Sequence, residues 1–305
     1  MDQPEPGEFD FLAADAARVG AASVPPVRRV ELTDAVSALA WGAGPATVVL
    51  AHGAALNAHT WDSTVLSWTV PVTSRDGHLA SPGTTFLALD LPGHGDSAWL
   101  EDGDYGPQRV APAVADALAA ATADGLLAEG FALVGQSLGG LVGLELLHSG
   151  RAAFNRLVLV DVLPLKPEAA NLVASFLDGP RSFASREEIV DRARAFGLGG
   201  DAVERGVFLN TRIAQDGRVV WKHHLGALGP SALQHLQTDH LWDVIADSPT
   251  RIDLVAATLS LVDEASWQRF ASLRPGATAV RVPGSHNLQE DNPVQLAATL
   301  RSLVA

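Results

Sequence analysis

The stretch Phe131-Ala-Leu-Val-Gly-Gln-Ser-Leu-Gly-Gly140 decides the fold prediction. It begins with a short apolar run that is typical of a buried strand, and it continues into an apolar helical pattern that reaches His148. Gly-x-Ser-x-Gly by itself is a weak signal. A strand before it and a helix after it, however, are what a sharp strand-to-helix turn requires, because small flanking residues permit the strained backbone. The stretch therefore predicts a turn that exposes the hydroxyl of Ser137.

Short apolar runs of the same kind recur on both sides of this turn. They are residues 46–51, 85–90, 157–160, 251–256 and 278–282. Helix-favouring stretches such as Pro107 to Leu127 lie between them. Alternation of short apolar strands with helices predicts an α/β fold with a mostly parallel sheet covered on both faces.

The alternation is interrupted between residues 163 and 248. This stretch carries amphipathic helical patterns, such as Arg186 to Phe196, rather than a regular succession of strands. We therefore expect a core domain formed by residues 1–162 and 249–305, with residues 163–248 inserted as a mainly helical cap, or lid.

Composition limits the classes of function. The chain has 305 residues, a net charge of -14 and no cysteine. The negative charge disfavours binding to nucleic acid or to anionic bilayers, and the absence of cysteine excludes disulfides and thiolate nucleophiles. The acidic N-terminus has no basic start or apolar signal core, and no apolar stretch is long enough to span a membrane. A cytoplasmic protein that acts on a small molecule is expected.

Ser137 is the candidate nucleophile. It would lie at the N-terminus of a helix, where free N–H groups and the helix dipole stabilise negative charge that develops during acyl transfer. The Leu138 N–H is then one oxyanion-hole donor. The loop His52-Gly-Ala-Ala55 follows a strand, and it could supply the Ala54 N–H as the second donor.

His286 is the candidate general base among the ten histidines. It lies in a loop between the last predicted strand and the last predicted helix. Such loops converge on the carboxyl edge of a parallel sheet, where the Ser137 turn also lies. A base within reach of the serine hydroxyl is required to make it nucleophilic.

The acid that would orient His286 has two candidates. Asp161 directly follows the predicted strand at Val160, whereas Asp263 lies a few residues beyond the strand at Val255, where Ser260 occupies the expected position. The direct placement favours Asp161, and Asp263 remains the alternative. An aspartate at the end of a strand can also simply cap the segment that follows.

The other histidines have structural interpretations. His52 and His94 each lie beside glycine in a turn, where an imidazole typically braces the loop through hydrogen bonds. His223 and His224 are adjacent, so their side chains should diverge, and no third ligand has suitable spacing. Neither a metal site nor a cofactor is predicted.

Several motifs together resemble α/β-hydrolase-fold esterases, most closely a group of mycobacterial esterase-like members. The motifs are Ala58-His-Thr-Trp-Asp62, Asp90-Leu-Pro-Gly-His-Gly95, the Ser137 turn, Leu157-Val-Leu-Val-Asp161-Val162, Arg205-Gly-Val-Phe-Leu-Asn210 and the His286 loop. In that group the acid follows the sixth strand, so the resemblance also favours Asp161. Two departures are the loop His52-Gly-Ala-Ala55, where esterases often have His-Gly-Gly-Gly, and Ala256-Ala257, where Arg-Gly is common.

The resemblance implies a serine hydrolase that cleaves carboxylic esters of small to medium acyl length through an acyl-enzyme, without a cofactor. Closely related chemistries use nearly the same residues, namely carbon–carbon bond, thioester or lactone hydrolysis and cofactor-free perhydrolysis. The alternative from another class is a non-catalytic ligand-binding homologue, which the altered oxyanion loop would favour.

Overall fold

The computed structural model describes residues 5–70, 83–165, 179–195, 201–233 and 236–304. The strands in chain order are β1 (Val27–Thr33), β2 (Val36–Trp41), β3 (Ala46–Ala51), β4 (Phe86–Leu89), β5 (Leu127–Gln136), β6 (Arg156–Val160), β7 (Ser182–Phe183), β8 (Thr211–Ile213), β9 (Val219–Trp221), β10 (Arg251–Ala257) and β11 (Ala279–Val282). Eight of them form one sheet in the order β1-β2-β4-β3-β5-β6-β10-β11.

The central sheet is parallel from β4 to β11, whereas β1, β2 and β4 pair antiparallel. Its middle strands are apolar on both faces. In β3, for example, Val48, Val49 and Leu50 are all buried, and they belong alternately to two hydrophobic clusters on opposite sides of the sheet. Burial on both faces is the reason for the uninterrupted apolar runs. The mostly parallel sheet confirms the prediction.

Helices cover both faces of this sheet. The helices of the described residues, in chain order, are α1 (Leu12–Val19), α2 (Asp62–Trp68), α3 (Pro107–Ala123), α4 (Leu138–Ser149), α5 (Arg186–Ala195), α6 (Asp201–Leu209), α7 (Leu225–Leu228), α8 (Leu241–Asp247), α9 (Glu264–Leu273), α10 (Leu288–Asp291) and α11 (Pro293–Val304). Helices α3, α4 and α8 pack on one face, and α1, α2 and α11 pack on the other. The two layers fix the ends of the strands, from which the loops of the site extend.

The chain between β6 and β10, called the inserted segment below, adds no strand to the eight-stranded sheet in its described part. Its described part contains helices and a three-stranded antiparallel sheet in the order β7-β9-β8. A small cluster that includes Phe183, Ile189 and Val219 packs beneath this sheet. The strands have two or three residues each, which is too short to give a strand pattern in the sequence.

The end of the predicted cap packs against the core. Helix α8 contacts α4, and its residues Leu241, Trp242 and Ile245 belong to the main hydrophobic cluster. The division at residues 162 and 249 stays a prediction. In the described ranges, no helix is both long enough and apolar enough to cross a bilayer.

Candidate active site

Ser137 lies at the junction between β5 and α4. Its backbone has φ 49° and ψ −118°, a conformation that is rare for a residue with a side chain. A Cβ atom added to Gly135 would lie 2.5 Å from the backbone of Gly139, and one added to Gly139 would lie 2.4 Å from the Ala51 carbonyl oxygen. The close approach of strand and helix therefore requires glycine on both sides of Ser137.

Asp161 lies at the end of β6 and is fully buried. Its Oδ1 accepts hydrogen bonds from the Ala257 N–H at 2.7 Å and from the Ser260 hydroxyl at 2.5 Å. Its Oδ2 lies 2.8 Å from Nδ1 of His286 and accepts a longer bond, 3.4 Å, from the Leu261 N–H. These contacts hold both oxygens of the buried carboxylate in place.

His286 lies in the loop after β11 and keeps 29% of its side chain exposed. When its Nδ1 donates to Asp161, its Nε2 is left as a proton acceptor. His286 and Ser137 line the same cleft. Within the ranges that the structure describes, they are not hydrogen-bonded to each other. In enzymes without substrate such bonds are often long and tighten only in the reacting complex.

Asp263 also lines the cleft, but it is exposed and occupies the N-cap of α9. Its carboxylate accepts a hydrogen bond from the Ser266 N–H at 2.7 Å. The carboxylate that contacts Nδ1 of His286 is that of Asp161. The contact between Ser260 and Asp161 is not predictable from the sequence, because the pattern of β10 does not indicate where the loop after it folds back.

The two predicted oxyanion donors lie on neighbouring elements. Leu138 is the first residue of α4, where an N–H has no partner within the helix, and Ala54 lies in the turn after β3. The Gly139 N–H donates to the His52 carbonyl oxygen at 3.0 Å, which joins the helix start to the strand end before this turn. Among the described residues, neither the Ala54 nor the Leu138 N–H has an acceptor. Both are thus available to a ligand.

His52 and His94 stabilise the loops beside the site through hydrogen bonds. Nε2 of His52 accepts from the Leu91 N–H at 3.0 Å, and its Nδ1 lies 2.7 Å from the Gly53 carbonyl oxygen. Nε2 of His94 accepts from the Ala55 N–H at 3.1 Å. Burial lowers the pKa of His52 to about 4 and that of His94 to about 3, so both imidazoles are neutral at pH 7.

The adjacent histidines His223 and His224 have different surroundings. His223 accepts from the Gly226 N–H at 2.9 Å, and burial lowers its pKa to about 3. Nδ1 of His224 lies 2.8 Å from the Tyr105 hydroxyl, and its ring stacks on Trp99. Among the described residues, no three histidine, cysteine, aspartate or glutamate side chains form a group that could hold a metal ion.

The cleft above Ser137 is open to solvent and has mostly apolar walls. These are formed by residues on the loops after β6 and β10, namely Val162, Leu163, Pro164, Leu165, Leu261 and Val262. Asp161, His286, Asp263 and Ser266 supply its polar groups. The cleft therefore joins a hydroxyl, an imidazole and a carboxylate to an apolar surface that suits a hydrocarbon chain.

The chain is similar to known proteins in both its sequence and its structure. Residues 48–299 match the model of the Alpha/beta hydrolase family. The chain is 33% identical over 321 residues to Esterase Rv0045c of Mycobacterium tuberculosis, covering 97% of this chain and 95% of that protein. A solved structure of the same M. tuberculosis esterase has a TM-score of 0.78 at 32% identity and covers 98% of each chain.

A more distant likeness concerns the fold alone. The crystal structure of E-2-(acetamidomethylene)succinate hydrolase has a TM-score of 0.71 at 20% identity, covering 91% of this chain and 98% of that one. The predicted resemblance to mycobacterial esterase-like proteins is confirmed by the nearer relatives. From the eight-stranded sheet, the strained Ser137 turn and these likenesses, we conclude that the chain belongs to the alpha/beta hydrolase family.

Proposed function

We propose that this protein is a serine esterase that hydrolyses carboxylic esters of small to medium acyl length. Ser137 is the nucleophile, His286 the general base and Asp161 the acid that orients it. The observation that carries the proposal is the 2.8 Å contact between His286 Nδ1 and the buried Asp161 carboxylate, in the cleft that Ser137 also lines. The likeness to a protein named as an esterase supports the same reaction.

The reaction has two steps. His286 Nε2 takes the proton of the Ser137 hydroxyl while the oxygen attacks the ester carbonyl, and the protonated imidazole then donates that proton to the departing alcohol. This leaves an acyl-enzyme. His286 next deprotonates a water molecule that attacks the acyl carbon, and its proton returns to Ser137 as the carboxylic acid is released. Asp161 stabilises the positive charge on His286 in both steps, and no cofactor takes part.

The tetrahedral intermediates carry negative charge on the former carbonyl oxygen. We assign the N–H groups of Leu138 and Ala54 as the donors that stabilise it. Their support is the start of α4 at Leu138, the bond from the Gly139 N–H to the His52 carbonyl, and the lack of an acceptor for either donor among the described residues.

The apolar walls of the cleft favour an uncharged acyl chain. Leu163, Leu165 and Leu261 lie on the two loops that frame Ser137. An acyl group in contact with them would be desolvated, which contributes roughly 0.8 kcal/mol per buried methylene. We therefore expect the reaction rate to rise with acyl length until the chain outgrows the cleft. The substrate in this proposal is a small molecule, and a cytoplasmic location stays a prediction.

The test combines labelling with a substrate panel. A fluorophosphonate should label the wild-type protein but not Ser137→Ala, because only an activated serine displaces the fluoride. The panel contains p-nitrophenyl esters of acetyl to dodecanoyl length beside a lactone, a thioester and a β-diketone. Fastest turnover of an ester of intermediate length is the expected result. A folded wild-type protein that is not labelled and turns over none of these compounds would overturn the proposal.

A further inference from the structure

The turn from Gly53 to Leu56 carries the Ala54 N–H that the proposed mechanism directs at the oxyanion. The Leu56 N–H donates to the Gly53 carbonyl oxygen at 3.3 Å, and Ala55 has a φ of 64°. A four-residue turn with positive φ at its third residue has the type II arrangement, which favours glycine at that place. An alanine there is strained, so the surrounding structure must hold it.

Two hydrogen bonds hold Ala55, one on each side of its Cα atom. Its N–H donates to Nε2 of His94 at 3.1 Å. Its carbonyl oxygen accepts from the side-chain amide of Asn210 at 2.7 Å. A third contact fixes the peptide between Gly53 and Ala54, since the Gly53 carbonyl oxygen lies 2.7 Å from Nδ1 of His52. That peptide carries the Ala54 N–H at its other end, so the direction of this N–H depends on all three contacts.

Asn210 is itself rigidly held, although it lies 155 residues from Ala55 in the inserted segment. Its N–H donates to the Gly206 carbonyl oxygen at 3.0 Å at the end of α6, and its carbonyl oxygen accepts from the Lys222 N–H at 2.8 Å. Its side-chain oxygen accepts from Nδ2 of Asn57 at 3.3 Å, which orients the amide so that its nitrogen faces Ala55.

We propose that Asn210 is a positioning residue for the oxyanion hole: from the inserted segment it holds the Ala55 carbonyl and thereby fixes the direction of the Ala54 N–H. The inference rests on the proposed function and deepens it. Docking of the inserted segment then contributes to the stabilisation of the transition state as well as to the shape of the cleft. Ser137, His286 and Asp161 still carry out the chemical steps.

The test uses Asn210→Asp, which has nearly the same shape and keeps the acceptor for Asn57 but replaces the donor to Ala55 by an oxygen. Removal of an oxyanion donor typically lowers kcat by about 10²–10³-fold, so a misdirected donor should lower it by about tenfold. The KM for p-nitrophenyl butyrate should change by less than about twofold, because binding of the ester in its ground state does not depend on the oxyanion contact. Phenylboronic acid, which forms a tetrahedral anion on an activated serine, should bind about tenfold more weakly.

Lys222→Met is the matched control. The Lys222 ammonium lies 3.2 Å from Asp96 and joins the inserted segment to the core without touching the turn. Methionine keeps the backbone N–H that donates to the Asn210 carbonyl oxygen, so the contacts of Asn210 are unchanged. This variant should keep the wild-type kcat and boronate affinity. Asn210→Ala removes the donor to Ala55 without adding the negative charge of aspartate, and it should show the same loss in kcat. It replaces Asn210→Asp as the test variant if Asn210→Asp does not fold.

Two results would overturn the inference. One is an unchanged kcat and boronate affinity in folded Asn210 variants of an active enzyme. The other is an equal loss in Lys222→Met, which would indicate a general effect of docking. Failure of the proposed function looks different, because wild type and Ser137→Ala would then both lack activity and boronate binding.

Discussion

The hydroxyl of Ser260 donates a hydrogen bond to Asp161 Oδ1 at a distance of 2.5 Å. The other oxygen of the same carboxylate contacts His286 Nδ1. Ser260 therefore lies at the position after β10 where the sequence pattern predicts an acid, and its hydroxyl contacts the aspartate that follows β6. A hydrogen bond to a charged group contributes about 1.5–3 kcal/mol, so its loss should loosen the orientation of the carboxylate.

The choice between the two acids gives the first prediction. Asp161→Asn should lower kcat by about 10³–10⁴-fold, because the imidazole loses the charge that stabilises its protonated form. Asp263→Asn is a matched control, since asparagine also serves as an N-cap and the start of α9 is kept. We expect it to retain kcat within about threefold. Steady-state hydrolysis of p-nitrophenyl butyrate measures both, and a large loss in Asp263→Asn alone would reverse the assignment.

A second prediction concerns Ser260 itself. Ser260→Ala should lower kcat by about tenfold, which corresponds to about 1.4 kcal/mol of lost stabilisation of the transition state. Because the Ala257 N–H also donates to Asp161 Oδ1, the carboxylate keeps one strong donor and the loss should stay well below that of Asp161→Asn. Equal kcat values for Ser260→Ala and wild type would show that the hydroxyl only packs against the acid.

The third prediction tests the close packing at the nucleophile turn. A Cβ atom at position 139 would lie 2.4 Å from the Ala51 carbonyl oxygen, a backbone atom that cannot move independently of β3. Gly139→Ala should therefore destabilise the fold by at least about 1–3 kcal/mol. Gly206→Ala is the control: Gly206 lies within α6 with open space around its Cα, so alanine should stabilise by about 0.5–1 kcal/mol. Urea unfolding compares the two, and equal effects would contradict the argument.

The sequence predicts the central sheet well, because strands such as β3 and β6 are buried on both faces and must be apolar throughout. It also predicts that Ser137, Asp161 and His286 follow strands whose carboxyl ends lie at one edge of the sheet. Both predictions depend on local sequence patterns and on the order in which strands and helices follow one another along the chain. The prediction of an α/β-hydrolase fold needs little more than these patterns.

What the sequence does not predict depends on contacts between distant loops. The Ser260 hydroxyl reaches Asp161 only because the chain after β10 turns back toward β6, and no local pattern encodes that turn. Asn210 likewise meets Ala55 through the docking of the inserted segment. Single hydrogen bonds between segments far apart in the chain leave no periodicity, so they become visible only in the structure.

A fourth prediction concerns the ion pairs that attach α6 to the core. Arg205 has only 13% of its side chain exposed, its Nε lies 2.5 Å from Asp15 Oδ2, and its Nη2 pairs with Asp62. Arg205→Met should destabilise the protein by about 1.5–3 kcal/mol, because two buried carboxylates each lose a charged hydrogen-bonding partner. Asp15 keeps its contact with Arg18 and Asp62 keeps its contact with His59, so neither charge is left wholly unpaired. Lys222→Met breaks the more exposed pair with Asp96 and should cost at most about 1 kcal/mol. Denaturant midpoints measure the difference, and similar values for both variants would contradict it.

The last prediction follows from the buried neutral histidines. Burial lowers the pKa of His52 to about 4, and that of His94 and His223 to about 3, whereas an unfolded chain titrates near 6.5. At any pH between its folded-state and unfolded-state pKa values, such a histidine binds more protons in the unfolded chain than in the folded protein. Its contribution to stability is complete above about pH 6.5 and is lost as the pH falls toward 4 and 3.

The stability contribution of His59 depends on pH in the opposite direction, but it changes little over the pH range in which the three neutral histidines titrate. Burial alone would lower its pKa, but the charge of Asp62 and hydrogen bonds to Asp62 and Glu8 raise it to about 9. Its stabilisation is therefore complete below about pH 6.5 and is lost as the pH rises through 9. Between pH 6 and 5 the three neutral histidines therefore have a larger effect than His59 on the free energy of unfolding. The free energy of unfolding should fall by up to about 1.4 kcal/mol per pH unit for each of them, with less in total because their charges interact. Urea unfolding at pH 7, 6, 5.5 and 5 measures this slope, and a free energy that stays constant or rises toward pH 5 would show that these imidazoles are not held neutral by the fold.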